Sequence, residues 1–120
     1  MTLKYSVKRL YRALLTLAEK RNIAVFEIKF SYFTRGKDKI TGLYCCSENL
    51  ILIEQNVSLS KKVFILAHEL GHYVLHRAIL NTTYWAVAYY SDINFRDERE
   101  SEADRFAQKL LAFLTRIYEI

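Results

Sequence analysis

The first twenty residues place apolar and charged side chains at helical spacing. The basic side chains fall between apolar positions that recur every three or four residues, at Leu3, Val7, Leu10, Tyr11, Leu14, Leu17 and Ala18. This period predicts an amphipathic helix over residues 3–20, with one face turned toward a core.

Three runs rich in β-branched and aromatic residues come next. They cover residues 23–33 (IAVFEIKFSYF), 42–47 (GLYCCS) and 49–56 (NLILIEQN). Such runs are typical of strands. A polar turn around Gly36 and a tight turn at residues 47–49 separate them. The short connections predict a three-stranded antiparallel meander.

Helical spacing returns over residues 61–78, where Ser58 or Ser60 can cap the first turn. Residues 79–96 show no clear period, and a further amphipathic helix is predicted from Asp97 onward. The order helix, three strands, helix, irregular segment, helix predicts one α+β domain over residues 1–120.

Composition narrows the class of protein. The chain has 120 residues, of which 52% are hydrophobic and 26% charged, as expected for a globular domain, and the absence of proline argues against a linker-rich or disordered chain. Neither a membrane-length apolar run nor a signal-peptide pattern is present, which predicts a cytoplasmic protein without a membrane partner. The net charge is +5, but the basic residues do not form a recognisable nucleic-acid-binding pattern. We therefore expect a solvated basic face rather than direct nucleic-acid binding. Cys45 and Cys46 are adjacent and are expected to be buried thiols.

The candidate metal-binding and catalytic residues lie close together in the sequence, around the three histidines. All three lie in LAHELGHYVLH, residues 66–76, at intervals of four, and residues 68–72 read H-E-x-x-H. Two imidazoles on one helical face can bind the same zinc ion, and Glu69 can take a proton from the attacking water. Glycine in the interior of a helix costs about 1 kcal/mol relative to alanine, a cost that is often tolerated where another group must approach the backbone. Gly71 therefore indicates a close approach to the helix backbone at this point. The alternative is an ordinary helix with incidental histidines.

A catalytic zinc ion requires a third protein ligand. His76 lies about 12 Å of helix rise from His68, too far to share one ion from a straight helix, so we expect it to be a neighbour of the site, a substrate contact or a structural residue. Cys45 or Cys46 would give a cysteine-plus-two-histidine set, as in peptide deformylases.

A carboxylate of the last helix is the stronger candidate for the third ligand. This helix begins with an acidic cluster that comprises Glu98, Glu100, Glu102 and Asp104. Glu102 lies at one edge of the apolar stripe, one turn before Phe106, and Glu100 lies near the opposite edge. Helical geometry alone does not choose between these two glutamates.

Two motifs together resemble the ImmA/IrrE family of zinc metallopeptidases. These are VFILAHELGHYVLH (63–76) and ESEADRFAQKLL (100–111), and the resemblance extends over about residues 40–112. It implies a minimal zincin-like domain that binds Zn²⁺ through His68, His72 and Glu102, with Glu69 as the catalytic base. It also implies an endopeptidase that acts on a protein, expected to be a helix-turn-helix repressor of a phage or mobile element.

The end of the sequence departs from the family pattern. Residues 112–120 lack the Met-Pro turn that usually follows in the family. This difference motivates an alternative hypothesis, a non-catalytic module with a structural or vestigial zinc site that regulates a partner by contact.

Substrate is expected to bind as an added strand at a sheet edge, formed by residues 42–47 or 49–54, with the aromatic segment 84–90 beside the cleft.

Overall fold

A computed structural model describes residues 3–30, 40–82, 89–92 and 98–118. Over these ranges the chain forms three α-helices and one four-stranded sheet. The elements in chain order are α1 (Leu3–Lys20), β1 (Ala24–Ile28), β2 (Ile40–Cys45), β3 (Leu50–Glu54), α2 (Leu59–Thr82), β4 (Tyr89–Asp92) and α3 (Glu98–Ile117). The predicted α+β class is confirmed.

The sheet is mixed rather than an antiparallel meander. Its strand order is β1-β3-β2-β4, with β1 parallel to β3 and the other two pairs antiparallel. The prediction of a purely antiparallel three-stranded sheet was therefore wrong. β3 inserts between β1 and β2, and residues 89–92 of the segment predicted to be irregular add a fourth strand.

Side-chain polarity explains why β3 is central. Its sequence LILIE is almost continuously apolar, and Ile51 and Ile53 are fully buried. A near-continuous apolar run of this kind is typical of a strand inside a sheet whose faces are covered. β1 instead exposes Phe26 and Glu27, as expected for a strand at the edge of a sheet. The expected substrate edge at residues 42–47 or 49–54 is also corrected, because β2 and β3 are interior strands, and β1 and β4 are the outer strands among the described residues.

The helix that carries the histidines begins where a serine caps it. The backbone N–H of Lys61 donates to Ser58 Oγ at 3.2 Å, and the carbonyl of Ser58 accepts the first helical bond from Lys62. Of the two predicted caps, Ser58 is therefore the one used. The helix continues to Thr82, several residues beyond the predicted end.

Gly71 allows α2 and α3 to pack closely. A Cβ atom at this position would lie 3.2 Å from the backbone of Ala103 and 3.1 Å from the ring of Phe106. The close approach predicted from this glycine is thus found, and the neighbour is the backbone of α3. Because Ala103 follows the acidic start of α3, this contact brings the glutamates of α3 next to the histidines of α2.

The core lies between the sheet and the three helices. Leu14 and Ala18 of α1, Leu66 and Ala67 of α2, and Tyr44 of β2 are fully buried. Within the described ranges, no helix combines the length and the apolarity that crossing a membrane would require.

Candidate metal centre

His68 and His72 project the same ring nitrogen toward one point. They lie one turn apart on α2, and their Nε2 atoms are 3.2 Å from each other. Both side chains are buried, as are the surrounding residues 65–67, so the two imidazoles sit in a largely dry environment. Their convergence is the arrangement that the four-residue spacing predicted.

A carboxylate of α3 completes the cluster, and it belongs to Glu100. Its Oε2 lies 2.9 Å from His68 Nε2, and its Oε1 lies 2.9 Å from His72 Nε2. Glu100 is only 4% exposed. With one donor atom from each residue, the His68, His72 and Glu100 donors all lie within 4.8 Å of one another.

The structure does not bring Glu102, the third ligand that the resemblance implied, to this point. Its side chain is 42% exposed, and its Oε1 lies 3.4 Å from Nε2 of His76. The reason is helical phase. Glu100 lies in line with buried Ala103 and Ala107, at steps of three and four residues, whereas Glu102 projects from another part of the helix surface.

The other ring nitrogen of each histidine also has a partner. His68 Nδ1 lies 2.6 Å from Asp104 Oδ1, and His72 Nδ1 lies 2.8 Å from His76 Nδ1. Histidines that bind metals almost always donate the second N–H to such a partner, which fixes the tautomer and leaves Nε2 free to bind. Sequence reasoning did not assign this role to Asp104, although its spacing of four from Glu100 puts both on one face of α3.

Burial and neighbouring charges shift the pKa values of His68, His72 and Glu100. Burial lowers the pKa of His68, but the hydrogen bond to Glu100 and the charges of Glu69, Glu100 and Asp104 outweigh it and raise the pKa to about 9. Burial lowers the pKa of His72. Burial opposes ionisation of Glu100, yet its hydrogen bonds to both histidines hold its pKa below the ordinary value. The carboxylate therefore stays ionised at neutral pH, as a metal ligand must be.

A scan of family models identifies the chain. The model of peptidase family M78, described as the IrrE N-terminal-like domain, matches residues 18–115. The chain belongs to this IrrE N-terminal-like family. No curated protein and no solved structure gave a significant match. The family match covers all residues of the cluster and confirms the resemblance found in the sequence.

The donor set of this family member suits zinc. Two imidazole nitrogens and one carboxylate form a common catalytic set, which leaves a fourth position open. A tetrahedral ion with bonds of about 2.0–2.1 Å separates its ligand atoms by about 3.3 Å. The two Nε2 atoms are 3.2 Å apart, which is close to that value, and each lies 2.9 Å from one oxygen of the Glu100 carboxylate. His68, His72 and Glu100 could thus hold a metal ion without rearrangement of the helices.

Glu69 lies between the metal helix and the sheet. Its side chain is fully buried, and its charge contributes to the raised pKa of His68. A Cβ atom at Gly42 of β2 would lie 2.6 Å from Glu69 Oε2 and 2.7 Å from Ile65 Cγ2. The missing side chain of Gly42 therefore provides the space in which this carboxylate sits. A buried carboxylate beside a candidate metal site is a strong candidate for function.

Two sets of candidates from the sequence remain, the cysteines and the aromatic segment. Cys45 is buried and Cys46 partly buried, and no disulfide joins them within the described residues. Cys45 Sγ contacts Ser47 and Glu48 at 3.4 Å, and neither cysteine belongs to the metal-competent grouping. Tyr89 and Tyr90 form part of β4, while residues 84–88 of the aromatic segment lie outside the described residues.

The contact with Gly42 gives a prediction about Glu69. We expect Gly42→Ala to displace the Glu69 carboxylate, because its new methyl group would lie 2.6 Å from Glu69 Oε2. A peptidase that uses this carboxylate would lose roughly 10- to 100-fold in kcat, since displacement of a reacting group by about 1 Å costs on this order. Zinc affinity should stay at the wild-type level, since the atoms nearest to the new methyl group belong to Glu69 and Ile65, which are not among the converging donors. Steady-state cleavage assays, zinc titration and thermal unfolding check this. A folded, zinc-binding variant with the wild-type rate would contradict it.

Proposed function

We propose that the protein is a zinc-dependent endopeptidase that hydrolyses a peptide bond in a protein substrate, a DNA-binding repressor of the helix-turn-helix class. The observation that carries the proposal is the convergence of His68, His72 and Glu100 beside the buried Glu69. Membership of a peptidase family supports the reaction class. The repressor as substrate rests on the resemblance to the ImmA/IrrE motifs.

Each residue then has a defined task. His68 and His72 would bind zinc through Nε2 and Glu100 through its carboxylate, and the bound ion would acidify water and polarise the scissile carbonyl. Asp104 would hold the imidazole of His68 in the tautomer that keeps its Nε2 lone pair available.

Proton transfer belongs to Glu69. Its carboxylate removes a proton from water as the oxygen forms a bond to the carbonyl carbon of the scissile peptide. The same side chain, now a carboxylic acid, gives the proton to the amide nitrogen as the C–N bond breaks. Burial between α2 and β2 keeps this carboxylate at a fixed position and excludes bulk water from its surroundings.

Incubation with candidate repressors tests the proposal. The first candidates are repressors encoded next to the gene of this protein. We expect the zinc-loaded protein to cut such a repressor at one position, with the products identified by mass spectrometry. A zinc chelator should stop the reaction, and added zinc should restore it. A stable complex with an intact repressor that persists in chelator would instead support the regulatory module without catalysis.

A further inference from the structure

His76 is buried next to the metal cluster without belonging to it. It is 2% exposed, and its ring centroid lies 5.0 Å from that of His72. It contacts the side of His72 that faces away from Glu100, because the 2.8 Å contact joins the two Nδ1 atoms. His76 therefore cannot act as a ligand of the same ion, yet it can determine how His72 is presented.

Metal binding by His72 would determine which of the two Nδ1 atoms, that of His72 or that of His76, donates the hydrogen bond. At 2.8 Å one nitrogen must carry the hydrogen and the other must offer a lone pair. If His72 binds a metal through Nε2, its hydrogen resides on Nδ1 and is donated to His76 Nδ1. His76 then carries its own hydrogen on Nε2, where the carboxylate of Glu102 lies 3.4 Å away.

We propose that His76 and Glu102 are positioning residues that fix the tautomer and ring orientation of His72 for metal binding. Glu102 would favour the Nε2–H form of His76, and this form would accept the hydrogen bond from His72. The pair would do for His72 what Asp104 does directly for His68. The inference rests on the metal site of the proposed function and extends it to two residues outside the ligand set.

Zinc affinity, measured by competition with a chromophoric chelator, tests the relay. We expect His76→Leu to weaken zinc binding by about 10- to 100-fold, the usual effect of removing the partner of a metal-bound histidine. His76→Asn should restore most of the affinity, because its amide oxygen can replace Nδ1 as acceptor. Glu102→Ala should have a smaller effect of the same sign. Glu98→Ala, at an exposed glutamate of the same helix, is the matched control and should bind like wild type.

The tautomers of the wild-type protein provide a test that needs no variant. In ¹⁵N-labelled, zinc-loaded protein, long-range ¹H–¹⁵N spectra should show the hydrogen of His72 on Nδ1 and that of His76 on Nε2. The opposite tautomer of His76 would overturn the proposal, as would a folded His76→Leu variant that binds zinc as tightly as wild type.

The outcomes separate this inference from the proposed function. If wild type binds zinc tightly and His76→Leu does so equally, only the role of His76 and Glu102 fails. If wild type binds zinc no better than His72→Ala, the metal site itself fails, and the relay fails with it.

Discussion

Replacement of Glu69 by glutamine is expected to lower kcat/KM for the protein substrate by about 10²- to 10⁴-fold, the range that general acid–base catalysis contributes. Glutamine has nearly the same shape but does not accept a proton from water at neutral pH. Zinc content should equal that of wild type, because Glu69 is not among the converging donors. Cleavage of the repressor and metal analysis of the same preparation give the two measurements.

Stability distinguishes this effect from damage to the fold. Glu69 is fully buried, and an ionised carboxylate is costly to bury. The neutral glutamine removes this cost and also the attraction between Glu69 and a protonated His68, so the midpoint of thermal unfolding should stay near that of wild type. Glu98→Gln, at an exposed position of α3, serves as the control and should cleave normally. A Glu69→Gln enzyme that cleaves at the wild-type rate would refute the general-base role.

The second large effect is expected on metal binding when Glu100 is replaced. Glu100→Ala removes a carboxylate that lies 2.9 Å from both Nε2 atoms. We expect zinc affinity to fall by more than about 100-fold, since loss of an outer partner of a ligand already costs about 10- to 100-fold. Cleavage at limiting zinc should fall with it.

Glu102→Ala is the matched comparison, two residues along the same helix. It should weaken zinc binding by less than about tenfold, because Glu102 contacts His76 rather than the ligand nitrogens. Titration of both variants under one set of conditions decides between the two glutamates. If Glu102→Ala loses zinc and Glu100→Ala retains it, the assignment suggested by the sequence motif is correct, and the one drawn from the structure is not.

Those two glutamates show where sequence reasoning reached its limit. Periodicity located α1 at residues 3–20, and the H-E-x-x-H spacing predicted the convergence of His68 and His72. The sequence pattern could not identify the third metal ligand, because Glu100 and Glu102 both border the apolar stripe of α3. The choice depends on how α3 rotates against α2, which the contact between Gly71 and Ala103 sets. The spacing of Glu100 and Asp104, one turn apart, was an available signal for the correct face.

The sheet order has a similar explanation. The strand runs were visible in the sequence, since each carries β-branched or aromatic residues. Their pairing depends on contacts between distant residues, such as Val25 with Ile51, for which local pattern gives little information. The continuous apolar run of β3 is a local feature typical of a strand buried within a sheet.

The position of a zinc ion tests the central claim most directly. Diffraction data from crystals of the zinc-loaded protein, collected on both sides of the zinc absorption edge, locate the ion by its anomalous signal. The structure predicts one peak within bonding distance of His68 Nε2, His72 Nε2 and the carboxylate of Glu100. A peak bound by Glu102 or by Cys45, or the absence of a peak at the two histidines, would contradict the account.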